Sequence, residues 1–175
     1  TELAAKPSLG FVIGGGLNLL ADGRTTPIYS RKHDVIFNTP PHRLLHEFFL
    51  RDISPLLLQS TVFRVAAIRE VGGFDADLVC DDFALFAKLF TRFSQKGKQF
   101  DFKPKIDCVR YRHHGTNSYR NLDRQVETHL NVIYRFAPEK IRKRAAGYKI
   151  AYYTLMSIKH SSISQAASVL TQAEF

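Results

Sequence analysis

Two polar clusters in this chain have residue types that could do chemistry. Asp81 and Asp82 are adjacent carboxylates directly before an aromatic-rich run. A carboxylate there has two readings. It caps free helix N–H groups and meets the positive end of the helix dipole. Alternatively, held on a rigid helix end, it is aimed at a substrate hydroxyl as a general base. The second cluster is Tyr111-Arg112-His113-His114-Gly115-Thr116-Asn117, which follows an apolar stretch. Its polar residues therefore fall at a strand end, where α/β folds place their ligands. Imidazole ligates divalent metals and guanidinium pairs with diphosphate; the plainer alternative is a pair of surface histidines. Gly14-Gly15-Gly16 has the composition of a phosphate loop, but no Lys-Ser/Thr follows it and the GxGxxG spacing is not met, so a backbone turn is the expectation. Asp75-Ala76-Asp77 follows the Gly72-Gly73 pair rather than an apolar strand, and reads as turn and loop. A metal-dependent hydrolase built on Asp82 and His114 would need further His or carboxylate ligands at helical or strand spacing, and the sequence offers none. Cys80 and Cys108 have no metal-ligand spacing and read as two buried, reduced thiols.

The elements that must position these groups follow from pattern and punctuation. Leu9 to Ile13 is short, apolar and rich in β-formers, a buried strand closed by its glycines. Leu17 to Leu20 continues as strand, and Asp22-Gly23 is a turn whose glycine takes positive φ. Residues 25 to 41 are polar and Pro-containing, a loop with one short strand near Val35 to Phe37. A helix follows Pro41, with Leu44, Leu45, Phe48 and Phe49 on one face, and Pro55 ends it. Gln59, Ser60 and Thr61 interrupt an apolar segment and must find partners or face a cleft. Arg64 to Val71 is a short helix stopped by Gly72-Gly73. From Asp82 a strong amphipathic helix carries Phe83, Phe86, Phe90 and Phe93 in one stripe, with Gly97 as its end. Gln99 to Phe102 and Ile106 to Tyr111 read as two strands around Pro104. The remainder is helical, over 119–136, 139–159 and 162–173, and carries the basic set Arg135, Lys140, Arg142, Lys143, Arg144 and Lys149.

The chain has 175 residues, 45% of them apolar, with 14 Phe, 7 Tyr and no Trp, enough for one Phe-rich core. Lys and Arg outnumber Asp and Glu 25 to 16, a net charge of +9, which favours anionic partners without choosing among phosphates, nucleic acid and acidic lipid. A basic helical module for nucleic acid or an acidic membrane surface is therefore one reading. No nucleic-acid motif or aromatic-interleaved strand supports specific nucleic-acid binding. No run of ~18 apolar residues and no signal peptide is visible. The chain opens at Thr1 in polar sequence without Met, as an excised segment would.

Taken in order, Val71-Gly72-Gly73-Phe74-Asp75, then Asp81-Asp82-Phe83-Ala84-Leu85-Phe86-Ala87-Lys88-Leu89, then Tyr111-Arg112-His113-His114, the motifs resemble those of family 2 glycosyltransferases. That family shows a VGGFDE turn, a Glu-Asp pair opening an aromatic-rich helix, and a YR-x-H stretch. The strand from Leu9 to Gly15 with Asp22-Gly23 is similar to the family's stretch just after its Asp-x-Asp motif. The resemblance covers roughly residues 8 to 118. It implies an α/β fold, the C-terminal half of a GT-A (Rossmann-like) domain over 1–118, acceptor side, with a helical C-terminal extension over 119–175 packing on it.

Residue by residue, the resemblance makes Asp82 the catalytic base, with Asp81 where Glu is usual. Lys88 stands where Arg is usual, and Phe83 and Phe86 where Trp is usual. Gly72 and Gly73 match the turn lining the acceptor site. Arg112 is the candidate for the donor diphosphate, and His114 for the metal site. The implied activity is inverting transfer of a sugar from a nucleotide-diphosphate donor to a carbohydrate, lipid-linked or protein acceptor. The implied cofactor is a divalent cation, Mg2+ or Mn2+, shared with an Asp-x-Asp motif that this chain lacks, so the chain alone is expected to be inactive. The implied setting is cytoplasmic, at the inner face of the membrane, with the basic C-terminal helices as the peripheral membrane contact.

Overall fold

The computed structural model describes residues 2–51, 56–78, 81–114, 122–159 and 162–172. It is a mixed α/β protein with one small open sheet and several helices. After a short helix α1 (Glu2–Ala5), strand β1 (Phe11–Leu19) forms the middle of the sheet. On one edge it pairs in parallel along its whole length with β4 (Phe100–Arg112). On the other it meets two short antiparallel strands, β3 (Thr61–Phe63) against Phe11 to Ile13 and β2 (Thr25–Pro27) against Leu17 to Leu19. The helices are α2 (Arg31–Phe37), α3 (Pro41–Leu50), α4 (Val65–Glu70), α5 (Asp81–Arg92), α6 (Leu122–Phe136), α7 (Glu139–Lys159) and α8 (Ile163–Thr171).

The core is built from phenylalanine. Phe11 and Phe100, facing each other across β1 and β4, stack with centroids 4.8 Å apart. Phe37, Phe90 and Phe93 close around them at 5.4, 5.6 and 5.8 Å. Each such aromatic pair contributes about 0.5–1.5 kcal/mol beyond its area burial. The C-terminal helices join the same cluster through Val126, Ile133, Ala145 and Val169, so α6, α7 and α8 share one continuous core with the sheet. The helix α6 packs on α5, and α7 packs on α3 and α6.

Several local expectations change. Gly14 to Gly16 do not form a turn; they continue β1. The reason lies in the partner strand. Between Lys103, opposite Gly14, and Val109, opposite Gly16, β4 bulges. A Cβ on Gly15 would meet the Pro104 carbonyl oxygen, and one on Gly16 would meet the Val109 side chain and carbonyl oxygen at 2.6 Å. Glycine is required here because a neighbouring backbone approaches closely, not for its φ. The bulge also means that the two strands expected around Pro104 are one. Val35 to Phe37 lies in α2, not in a strand; Ile36 and Phe37 are fully buried from it. Helix α5 ends at Arg92, and Gly97 belongs to the turn that follows, its N–H donating to Ser94 Oγ at 2.9 Å. Cys108 is exposed on β4 rather than buried. Cys80 and Pro55 lie outside the described residues, as do residues 119–121 of the expected 119–136 helix.

Other expectations hold. Gly23 turns at φ +82°, and α3 begins at Pro41. Gln59 is exposed, while Ser60 and Thr61 find internal partners. The Tyr29 hydroxyl lies 2.9 Å from Ser60 Oγ, and both Ser60 and Thr61 donate to the Leu57 carbonyl. Burial pushes the Tyr29 phenol above its ordinary value, against the opposing hydrogen bonds from Ser60 and the Leu57 N–H.

Candidate functional site

The head of α5 is the first component. Asp82 is half-buried in the first turn, and its Oδ1 accepts the Phe83 N–H at 2.7 Å. The stripe behind it fixes the helix. Phe83 meets Phe48 and Phe49 of α3 and His129 of α6 at 5.0, 5.7 and 4.9 Å. At the other end, Phe90 and Phe93 reach Phe11 at 6.4 and 5.8 Å, at the start of β1. The helix thus runs from its acidic head toward the beginnings of β1 and β4. Asp82 lies at the end remote from the Phe11–Phe100 stack.

The Gly72-Gly73 turn is the second component. The 6→1 hydrogen bond from Gly73 N–H to the Ile68 carbonyl, 2.9 Å, closes α4, with φ of +81° and +69° at the two glycines. This is the left-handed helix termination that favours glycine. Nothing lies within 4 Å of a Cβ built at either position, so the turn is open on its outer side. It is tied to α5 by Lys88, which donates to the Gly73 carbonyl and pairs with Asp75 at 2.5 Å. Arg135 of α6 pairs with Asp75 at 3.2 Å and with Asp77 at 2.7 Å. Asp75 and Asp77 are thus paired with cations of the chain itself, Lys88 and the exposed Arg135, in agreement with their reading as turn and loop. Lys88 holds this turn against the helix.

The third component is the end of β4. Register pairs Arg112 with Leu19, the last residues of the two strands. Arg112 and His114 are exposed, while Tyr111 and His113 are half-buried, the alternation of an extended chain. His113 is held in place: its N–H donates to the Leu19 carbonyl at 2.9 Å, and its Nε2 donates to Asn18 Oδ1 at 2.9 Å. His114, like Asp82, lies at the end of its element remote from the Phe11–Phe100 stack. Residues 115–118 of this stretch lie outside the described residues.

Among the described residues no three His, Cys, Asp or Glu side chains come together as a metal site. Of the basic set on the C-terminal helices, Arg135, Lys140, Lys143 and Arg144 are exposed, Arg135 within the ion pairs above. The other two turn inward: Arg142 onto the Ala137 carbonyl at 3.3 Å, and Lys149 into the interior at 5% exposure. Among the described residues no helix is long and apolar enough to cross a membrane.

The sequence reading missed the Lys88–Gly73 tie, the Asn18–His113 bond and the burial of Lys149. Asn18, an amide set between leucines in a strand, was the one local signal for the second of these. Compared with protein-family models, with curated proteins and with solved structures, the chain matches none.

Proposed function

We propose that this chain is the acceptor-side, C-terminal half of an inverting, GT-A-type nucleotide-sugar glycosyltransferase. The observation that carries the reading is the common direction of three pieces. A half-buried carboxylate heads α5, β4 ends at Arg112 beside Leu19 of β1 with His114 two residues beyond, and both groups lie at the ends of their elements remote from the Phe11–Phe100 stack. Lys88 supports it further, because it fastens the open Gly72-Gly73 turn to the same helix that carries Asp82.

In this reading the acceptor hydroxyl gives its proton to the Asp82 carboxylate as its oxygen attacks the anomeric carbon. The bond from that carbon to the donor diphosphate breaks in the same displacement, with inversion. The diphosphate leaves with the bonding electron pair, and its charge is met by the Arg112 guanidinium. Gly72 and Gly73, lacking side chains, leave room for the acceptor beside the helix head. The nucleotide pocket, and the ligands of any divalent cation beyond His114, are assigned to residues outside this chain.

The test is Asp82→Asn in the enzyme that carries this chain, assayed as nucleoside diphosphate released from UDP-, GDP- and TDP-sugars in the presence of acceptor. A general base supplies about 10²–10⁴-fold in rate, so a loss of that size is expected with the circular dichroism spectrum unchanged. Release within a few-fold of the parent would remove Asp82 from the base role and the transferase reading with it.

A further inference from the structure

Helix α7 is apolar on two sides, and the core uses one of them. Ile141, Ala145, Ile150 and Tyr153 are buried in the shared cluster. Another side carries Tyr148, Ala151, Leu155 and Ile158, at the i, i+3, i+7, i+10 spacing of a single helix face. All four are exposed, Leu155 at 67% and Ile158 at 55%. One exposed leucine needs no explanation, but a continuous row that the core does not need marks a contact surface. Cations stand at both ends of it. Lys140 and Arg144 continue the row toward the start of the helix, and Lys159 closes it; all three are exposed. Helix α8, packed against α7, adds an exposed row of its own, Ile163, Ala167 and Leu170. From residue 140 to residue 173 the sequence has no Asp or Glu. Asp123 of α6, which accepts from Ser168 Oγ at 3.2 Å, meets α8 on a different side from that row.

We propose that the exposed side of α7 lies on an anionic lipid bilayer, with its apolar row at the boundary of headgroups and acyl chains and its flanking cations on the lipid headgroup anions. Charge decides among the occupants that an apolar row admits. A second copy fits badly: a parallel pair of α7 helices sets Arg144 beside Arg144, and an antiparallel pair turns Arg144 toward Lys159, on a chain of net charge +9. A nucleic acid takes the cations and leaves Leu155 and Ile158 in water. An anionic bilayer covers both at once. Tyr148, set between the cations and the aliphatic side chains, has the amphipathic ring suited to that boundary. The helix lies on the surface and does not cross it, since among the described residues no helix is long and apolar enough to span a membrane. The support is the apolar row and not the basic set as a whole, of which Arg142 and Lys149 turn inward. This contact goes beyond the transferase reading and is measured without any sugar donor.

The experiment is co-sedimentation of the chain with vesicles of phosphatidylcholine alone and of phosphatidylcholine mixed equally with phosphatidylserine. Retention on the anionic vesicles and little on the neutral ones is expected. Leu155→Ser combined with Ile158→Ser should weaken partition about a hundredfold, the product of the two aliphatic side chains withdrawn. Lys140→Gln combined with Arg144→Gln should weaken it about twentyfold. All four side chains are exposed, so the circular dichroism spectrum is expected to stay that of the parent. The chain has no Trp, so Leu155→Trp places a single reporter in the row. Its emission should move to the blue on anionic vesicles, while that of Val35→Trp, an exposed position on α2, stays unchanged. No retention on the anionic vesicles overturns the proposal, as does retention that survives the loss of Leu155 and Ile158, which is what a merely basic surface gives. An equal blue shift at Val35→Trp overturns it too, as unfolding onto lipid. A blue shift of Leu155→Trp that grows with protein concentration in the absence of vesicles assigns the row to a second copy instead.

Discussion

The molecule uses glycine runs in two places, and for opposite reasons. Gly14 to Gly16 lie buried inside β1, in extended backbone that any residue adopts. What excludes a side chain there is the crowding of the bulged β4 backbone and of Ser60 and Cys108. Gly72 and Gly73 lie in open space at positive φ, where the constraint is the backbone itself. The first run is a demand made by a distant strand, the second a demand made by the local chain. Only the second kind is written where a reader of the sequence looks for it.

Substitutions separate the two cases by size. Gly15→Ala should be the most damaging, because its Cβ meets the Pro104 carbonyl, a backbone atom that cannot swing aside. Overpacking of this kind costs about 3 kcal/mol, visible as a lower denaturation midpoint or as failure to fold. A stability close to that of the parent would mean that β4 does not bulge against β1. Next comes Lys88→Met. It removes the tie to Gly73 and one of two cations on Asp75, which Arg135 continues to pair. A loss of about 2 kcal/mol in urea unfolding is expected, less than for a fully isolated buried carboxylate. An unchanged midpoint would show the turn to be held by its own hydrogen bonds. The smallest effect belongs to Gly72→Ala, which meets no neighbour and bears only the left-handed penalty of about 1 kcal/mol. If Gly72→Ala proved as costly as Gly15→Ala, the distinction between crowding and conformation would fail.

The same distinction explains what the sequence disclosed. Helices α3, α5, α6 and α7 were legible because Pro41, Pro138 and the spacing of Phe and Leu act within one element. Helix α2 was not. Its opening Arg-Lys-His-Asp is polar, and its support is a capping box in which His33 accepts the Ser30 N–H at 3.0 Å, together with the packing of Ile36 and Phe37 on the rest of the core. In the candidate site, Asp82 and the Tyr111–His114 stretch stood out by residue type and order. The groups that hold them did not, because Lys88 reaches back to Gly73 and His113 to Asn18 across long stretches of chain. Lys149 was read outward for its charge, and it is the rings of Phe83 and Tyr152 that receive it instead.

One consequence of the irregularity near Pro104 reaches the far end of its strand. Before it, the even-numbered Phe100 and Phe102 point to the interior; beyond it, the odd-numbered Val109, Tyr111 and His113 take the sheltered side. The detour is even: β1 advances two residues from Gly14 to Gly16 while β4 advances six from Lys103 to Val109, so the alternation is kept and Tyr111 stays opposite Asn18. One residue more or fewer there would exchange the two neighbouring imidazoles, the one clamped by Asn18 and the one offered outward beside Arg112. The length of that detour, as much as the identity of the histidines, sets what the tip of the sheet displays.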